Sequence, residues 1–252
     1  MPHRYTAVLL LIVTLALSAC ASNGSAKAGA AGAASDPWET VNRKTDAFNT
    51  AVDKATLKPL AKGYRKIMPD LARRGISNFF DNLGTPAVAL NNFLQGKGRD
   101  GFVDIGRFLM NSTVGIGGLI DVGTEFGLTE HDEDFGQTLA VWGVGDGPYV
   151  VIPFFGPSTL RDALARPVDI LSGPLHYYEN SSVRDKLRVL QAIDLRTRLL
   201  TAERFLEDSN DRYITLRESY LQNRNYKIYD GDPPMDDDFY DDIYDDMLDE
   251  EP

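Results

Sequence analysis

Between Arg99 and Val122 the chain is apolar over most of a helical surface, yet it is broken by charge and by glycine. Phe102, Val103, Ile105, Phe108, Leu109, Val114, Ile116, Leu119 and Ile120 crowd the stretch, and Asp104, Arg107, Asn111 and Asp121 interrupt it. A simple membrane-crossing helix would carry each charge at a cost of about 3 kcal/mol. A helical hairpin lying within one leaflet would not, provided that its charges face a wet interior. Glycine narrows the choice further: eleven of the 22 glycines fall between Gly101 and Gly147. In water, Gly115-Ile116-Gly117-Gly118 would weaken a helix by about 1 kcal/mol per glycine relative to alanine. Glycine also lets backbones bend or approach closely, as at contacts between membrane helices. The segment therefore predicts apolar helical structure with a glycine bend.

The N-terminus gives the compartment. Arg4 precedes an apolar run from Ala7 to Leu17, too short for the roughly 20 residues of a spanning helix and suited to a secretory leader. The leader ends in Leu17-Ser18-Ala19-Cys20, which resembles a bacterial lipobox, and Cys20 is the only cysteine. A lone thiol in an exported protein is a liability; cleavage before Cys20 and diacylation of its sulfur remove it. The alternative is an ordinary signal peptide with an accidental cysteine. Ala21 stands where bacterial lipoproteins retained at the inner membrane tend to have Asp. The expectation is a signal peptide over 1–19 and lipidation at Cys20, with the protein on the periplasmic face of a Gram-negative outer membrane. Residues 20–35, rich in Ala, Gly and Ser, read as a flexible tether.

The net charge of -11 is concentrated at the other end, where Asp230–Pro252 holds twelve acidic residues and no Lys or Arg, leaving +1 for everything else. A nearly neutral body argues against nucleic acid, which needs a basic surface. The tail 230–252 reads as disordered; the alternative is an acidic segment, studded with Phe239, Tyr240, Ile243 and Tyr244, that finds a basic, apolar partner surface.

The body, 36–229, reads as all-α with glycine-rich irregular connections. Asp36-Pro37-Trp38-Glu39 has the order N-cap, Pro at N1, Glu at N3, and Trp38, Val41, Phe48 and Val52 follow at helical spacing. Leu57–Asp70, with two prolines, reads as a connector or broken helix. Leu71–Phe80 and Pro86–Gln95 read as separate helices, and Gly96-Lys97-Gly98 as a turn. Trp142–Tyr149 cannot be regular helix, and Val150–Phe155 reads as one strand or an extended wall. Ser182 opens a long helix to about Glu207, with Val183, Leu187, Leu190, Ile193 and Leu200 on a stripe; Asp211–Asn223 makes the last helix.

No reactive set stands out. His131-Asp132-Glu133-Asp134 offers four ligand types in a row, but metal sites need ligands that converge, and a solvated acidic turn fits better. Ser158, Asp162 and His176 could be written as a triad, yet no nucleophile-elbow pattern surrounds any serine. Gly143–Gly147 lacks the Lys-Ser/Thr of a phosphate loop and reads as a turn. The expectation is a protein that is not an enzyme, with no cofactor and no metal.

Several ordered segments together carry a family resemblance. They are Asp36-Pro37-Trp38-Glu39 with Asn42-Arg43 and Phe48-Asn49; Ile76–Phe79 with Asn82-Leu83, Pro86 and Asn92–Gly96; Arg107-Phe108 with Asn111 and Gly115–Val122; Asp134–Leu139 with Trp142-Gly143, Gly147-Pro148-Tyr149 and Pro153; Gly156–Asp162; and Asp211-Arg212-Tyr213 with Arg217 and Tyr220. Behind a lipobox, this set resembles the VacJ/MlaA family, outer-membrane lipoproteins of the pathway that maintains lipid asymmetry. The family often has Asp-Pro-Tyr where this chain has Asp211-Arg212-Tyr213.

The resemblance implies a ring-shaped bundle of amphipathic helices lying in one leaflet, with an amphipathic pore. Phospholipids misplaced in the outer leaflet would pass through it to a soluble, MlaC-like periplasmic carrier, and a trimeric porin would hold the ring. Candidate pore or gate residues are Phe48, Asn49, Asp104, Arg107, Asn111, Gly115, Gly117, Gly118, Leu119 and Ile120. The glycines could equally serve close helix packing. The alternative function is a porin-associated structural lipoprotein without transport.

Overall fold

The computed structural model describes residues 36–234. The signal peptide 1–19, Cys20, the tether to 35 and the tail beyond 234 lie outside the described residues. The described chain is helical apart from one two-stranded hairpin, as the all-α reading expects.

Helix α1 (Glu39–Ala55) begins after a turn in which the Asp36 carboxylate accepts the Trp38 N–H at 3.0 Å. The expected capping box does not close, because the Glu39 carboxylate accepts from Arg43 Nε at 2.7 Å instead. The apolar spacing of α1 forms a stripe, but Trp38, Val41 and Phe48 stay exposed while Asn42 and Asp46 are buried. Leu57–Asp70 is not a connector: Leu57–Ile67 is helix α2. Pro59 sits in its first turn, where a missing N–H costs nothing, and Pro69 lies just before the next helix.

The two helices expected on either side of Pro86 are one, α3 (Asp70–Leu94), with Pro86 inside it. Gly96, at φ +83, turns the chain into α4 (Gly98–Thr113), and α3 and α4 pack as an antiparallel hairpin. The expected hairpin within Arg99–Val122 is thus displaced. Its bend lies at Gly96, and the second half of the segment is an irregular loop, 114–121, leading to the single-turn α5 (Val122–Glu125). Helix α6 (Phe135–Val141) is capped by Asp134, whose carboxylate accepts the Gln137 N–H at 2.9 Å.

Tyr149–Ile152 (β1) pairs antiparallel with Gly156–Thr159 (β2), Tyr149 opposite Thr159 and Ile152 opposite Gly156. The apolar run is therefore half of a hairpin whose tip holds Phe154 at φ +67. Helix α7 (Leu160–Ser172), capped by Thr159, leads through the 3-10 turn Pro174–Tyr177 to α8 (Ser181–Leu199). The cap of α8 is Asn180 rather than Ser182, and the helix stops at Leu199, before the short α9 (Glu203–Glu207). In α10 (Arg212–Ile228), Asp211 accepts the Tyr213 N–H at 2.9 Å, so Arg212 in place of the family's proline leaves the helix start intact. Asp230 meets Lys97, and the chain stays hydrogen-bonded through Asp232.

Tyr149, Val151 and Tyr213 form a small apolar cluster, flanked by Ile214, Tyr220 and Leu221. Elsewhere the distribution is reversed. The described residues bury many more polar and charged side chains than large apolar ones, and 36 large apolar residues are exposed.

Candidate functional site: an amphipathic cavity behind an apolar surface

Helix α4 shows the reversal most clearly. Asp104, Arg107 and Asn111, at i, i+3 and i+7, form its buried stripe, while Phe102, Ile105 and Leu109 repeat that spacing on the exposed side. Phe102 is 71% exposed and Asp104, two residues on, 1%. Each buried group is paired, as burial of charge demands. Asp104 accepts from Asn92 Nδ2 at 2.7 Å and lies 2.8 Å from His131 Nδ1. Arg107 donates to Asp121, to the Thr124 hydroxyl at 3.0 Å and to the Leu128 carbonyl at 2.6 Å. Asn111 donates to Asp121 at 3.0 Å and accepts the Gly123 N–H at 2.8 Å. Burial would push the Asp121 carboxyl up, but bonds from Thr124 and Asn111 and the Arg107 charge hold it below its ordinary range.

This network closes the loop 114–121 over the end of α4. A Cβ on Gly115 would sit 2.2 Å from the Ile120 carbonyl oxygen, and one on Gly118, at φ +91, 2.7 Å from Asn82 Nδ2. Gly117 is also at positive φ (+70). Both earlier readings of these glycines meet here: they bend the chain and permit close approach. Ile116 is held at φ +55, a conformation a β-branched residue rarely takes. The loop leaves Val114, Ile116, Leu119 and Ile120 exposed, and its Leu119 carbonyl accepts from Asn78 of α3.

Phe48 and Asn49 act on the β-hairpin. Asn42 donates to the Tyr149 carbonyl and accepts from the Val151 N–H; seven residues on, Asn49 donates to the Ile152 carbonyl and accepts from the Phe154 N–H. Two side-chain amides thereby satisfy one edge of β1. The Phe48 ring meets Phe154 edge-on, with centroids 5.4 Å apart, at a tip where Phe154 and Phe155 are exposed.

A cavity of about 590 Å³ opens between α3, α7, α8 and α10, within the range of small-ligand pockets. Phe80, Leu83, Ala87, Ile170 and Leu175 supply its apolar wall; Asp134, Asp162, Asp169, Arg166, Arg188 and Arg224 supply charge. Arg224 is its keystone, donating to Asp134 at 2.6 and 2.7 Å and to Asp162 at 2.9 Å. Burial opposes the Arg224 charge, yet bonds to the two carboxylates raise its pKa, and the same bonds overcome burial to lower that of Asp134. Asp162 also accepts from the Tyr220 hydroxyl at 2.9 Å. Asp169 accepts only the Phe135 N–H, at 2.8 Å, and burial pushes its carboxyl up to about 6.

None of the ten sequence-derived pore or gate candidates lines this cavity; they gather around the α4 loop and the hairpin tip. The cavity residues are harder to find, because Arg166, Arg188 and Arg224 look in sequence like the solvent-facing charges of amphipathic helices. The four residues from His131 diverge rather than converge. His131 turns to Asp104, Asp132 to Lys227, the buried Glu133 to Gln95 and Lys97, and Asp134 to Arg224, so the turn is a set of struts and not a solvated loop. The Ser158 hydroxyl donates to the Thr159 carbonyl, and Asp162 is engaged by Arg161, Tyr220 and Arg224. Gly143–Gly147 is a turn that presents Asp146 to Arg161. No helix among the described residues is long and apolar enough to cross a membrane.

Fold and site together define a helical protein that leaves many apolar side chains exposed, buries paired charge and holds an amphipathic cavity. The family model of the MlaA lipoprotein matches residues 34–227. The chain is 39% identical over 222 residues to the intermembrane phospholipid transport system lipoprotein MlaA of Shigella flexneri and 38% identical to that of Escherichia coli, covering 86% of each chain in both cases. It is 31% identical to the Haemophilus influenzae protein of the same name, over 90% of this chain and 91% of that one. A solved structure described as the structural basis for maintenance of bacterial outer membrane lipid asymmetry matches with a TM-score of 0.68 at 38% identity, covering 77% of this chain and 99% of that one. The chain belongs to the MlaA lipoprotein family.

Proposed function

We propose that this protein is a non-enzymatic phospholipid passage of the outer membrane. Anchored through Cys20 on the periplasmic side, it takes misplaced phospholipids from the outer leaflet and passes them to a soluble periplasmic lipid carrier, so maintaining lipid asymmetry. The amphipathic cavity carries this reading. A phospholipid crossing a leaflet must take its charged head through hydrocarbon, at a cost of several kcal/mol. A passage with charge on one wall and apolar side chains on another lowers that cost for head and tails together.

The exposed apolar side chains of the α3–α4 hairpin and its loop support placement of a ring of helices in the inner leaflet. So large an exposed apolar set marks a membrane or partner interface. Helix α4, with 16 residues, is about 24 Å long at 1.5 Å per residue. That exceeds half of a hydrocarbon core about 30 Å thick, so it would lie obliquely. The α4 loop gates the passage: its Leu119 carbonyl accepts from Asn78 and its Gly118 packs against Asn82 of α3, the helix that gives Phe80, Leu83, Gly84 and Ala87 to the cavity. Phe48 and Asn49 fix the hairpin tip, and a trimeric porin holds the ring from outside.

The test is outer-leaflet phospholipid in a strain deleted for the gene and complemented with wild type, Cys20→Ala or Leu119→Lys. Accumulation on deletion, relieved by wild type and by neither variant, with Leu119→Lys still membrane-associated, is the expected result. Porin binding with no change in outer-leaflet lipid would favour a structural envelope lipoprotein.

A further inference from the structure

The cavity holds charges that the protein itself leaves unanswered. Arg224 is taken by Asp134 and Asp162, and Lys227 by Asp132. Arg166 and Arg188 also line the cavity, and among the described residues neither is in an ion pair. Arg166 Nε is buried with no hydrogen-bond partner, while its guanidinium lies over the Phe155 ring, 5.1 Å from the centroid. A buried cationic donor without an acceptor is costly unless a ligand or water supplies one. On the same face of α7, three residues on, Asp169 is in no ion pair and accepts a single hydrogen bond, from Phe135. Burial raises its pKa, and the charges of Arg224 and Arg166 offset that only in part.

We propose that these three side chains form a headgroup site for a phosphoethanolamine lipid, with Arg166 and Arg188 taking the phosphodiester and Asp169 the primary ammonium. Guanidinium groups suit phosphate because their planar donors match its oxygens. Arg166 and Asp169 share one face of α7, where residues at this spacing have Cβ atoms about 5–6 Å apart, the scale of the phosphate-to-amine separation of an ethanolamine head. The site would discriminate by headgroup: a glycerol head satisfies the arginines but leaves Asp169 without a cation. The inference rests on the cavity being the lipid passage proposed above.

The experiment uses the purified full-length lipidated protein in detergent. The protein is exposed to an equimolar mixture of dioleoyl phosphatidylethanolamine, phosphatidylglycerol and diacylglycerol, and the retained lipid is counted by mass spectrometry. Wild type should retain the ethanolamine lipid about tenfold over the glycerol lipid, the scale of one hydrogen bond to a charged group. Asp169→Asn keeps an acceptor for the Phe135 N–H and should bring that ratio near one. Arg166→Gln with Arg188→Gln should lower both phospholipids to the diacylglycerol level, while Arg166→Lys should retain part of the binding. Melting temperatures of the variants check that they fold. Equal retention of the two phospholipids by wild type, or an unchanged ratio in Asp169→Asn, would overturn the headgroup site and leave the passage standing. Retention of neither above diacylglycerol would overturn the passage as well. Displacement of the ethanolamine lipid by 10 mM inorganic phosphate (roughly the concentration of a millimolar site) would reassign the arginines to free phosphate and overturn the proposal.

Discussion

Around Tyr149, Val151 and Tyr213 the chain buries aromatic and aliphatic side chains against one another. Around Asp104, Arg107 and Asn111 it buries charge and leaves Phe102, Ile105 and Leu109 outside. The first arrangement is held by exclusion of water, at about 25 cal/mol per Å² of apolar area. The second is held by directed bonds from Arg107, Asn92 and Asn111, and its apolar side chains are covered only in part, as where Phe102 meets the Phe93 ring at 5.2 Å. In the α4 region the side chains that hold the fold are not the ones left exposed for an apolar partner, whereas in the tyrosine cluster the same apolar atoms would have to serve both.

Substitutions separate the two arrangements. The largest expected effect is at Arg107. Arg107→Leu makes α4 more apolar but strands Asp121 and the Leu128 carbonyl, and should cost about 3–5 kcal/mol, read as a lower thermal midpoint. Tyr213→Leu in the apolar cluster should cost less, although it loses the Tyr213 hydroxyl bond to Asp36. The reverse order would mean that apolar packing, not the polar network, holds α4. Next comes Gly118→Ala, where the positive φ and the approach to Asn82 together should cost about 2 kcal/mol; an unchanged midpoint would show that the loop is free to move away from α3. Ile116→Gly should act in the opposite sense. It relieves a left-handed isoleucine worth about 1–2 kcal/mol, raising the midpoint while weakening partition into phospholipid vesicles. A fall in both would tie stability to the exposed side chain and erase the distinction.

The smallest effect concerns pH. The folded Asp169 carboxyl titrates at about 6, above its ordinary 3.8, so the folded state holds the proton more tightly than the unfolded one. The contribution of Asp169 to stability should therefore be greatest below the ordinary value and decline as pH rises through about 6. Solvent screening at this partly exposed site limits the loss to about 1 kcal/mol. Asp169→Asn should flatten the midpoint between acid and neutral pH. A midpoint that rises over this interval in wild type and not in the variant would contradict the assigned direction.

Much of this was legible in local sequence, because local physics decides it. The Gly96 turn, the start of α10 at Asp211 and the apolar stretch with its polar interruptions follow from turn chemistry, capping and periodicity. Pro86 misled because the rule that proline ends a helix weighs only the backbone; packing along α4 carries α3 through it. The partner of β1 was hidden because Gly156-Pro157-Ser158-Thr159 has little strand character of its own. The cavity was hidden for a related reason. Arg224 is an ordinary helix charge until Asp134 and Asp162, 90 and 62 residues away, are brought to it.

A bulky side chain placed in the cavity would block such a passage. Gly84 lines it, and a Cβ added there meets nothing within 4 Å, so Gly84→Trp should enter the space without displacing backbone. Gly63 of α2, equally unobstructed but outside the cavity, is the matched control. With both variants at wild-type abundance in the outer membrane, outer-leaflet phospholipid should rise to the level of the deletion strain in Gly84→Trp and stay at wild-type level in Gly63→Trp. Wild-type lipid asymmetry in a folded Gly84→Trp strain would contradict passage of phospholipid through this cavity.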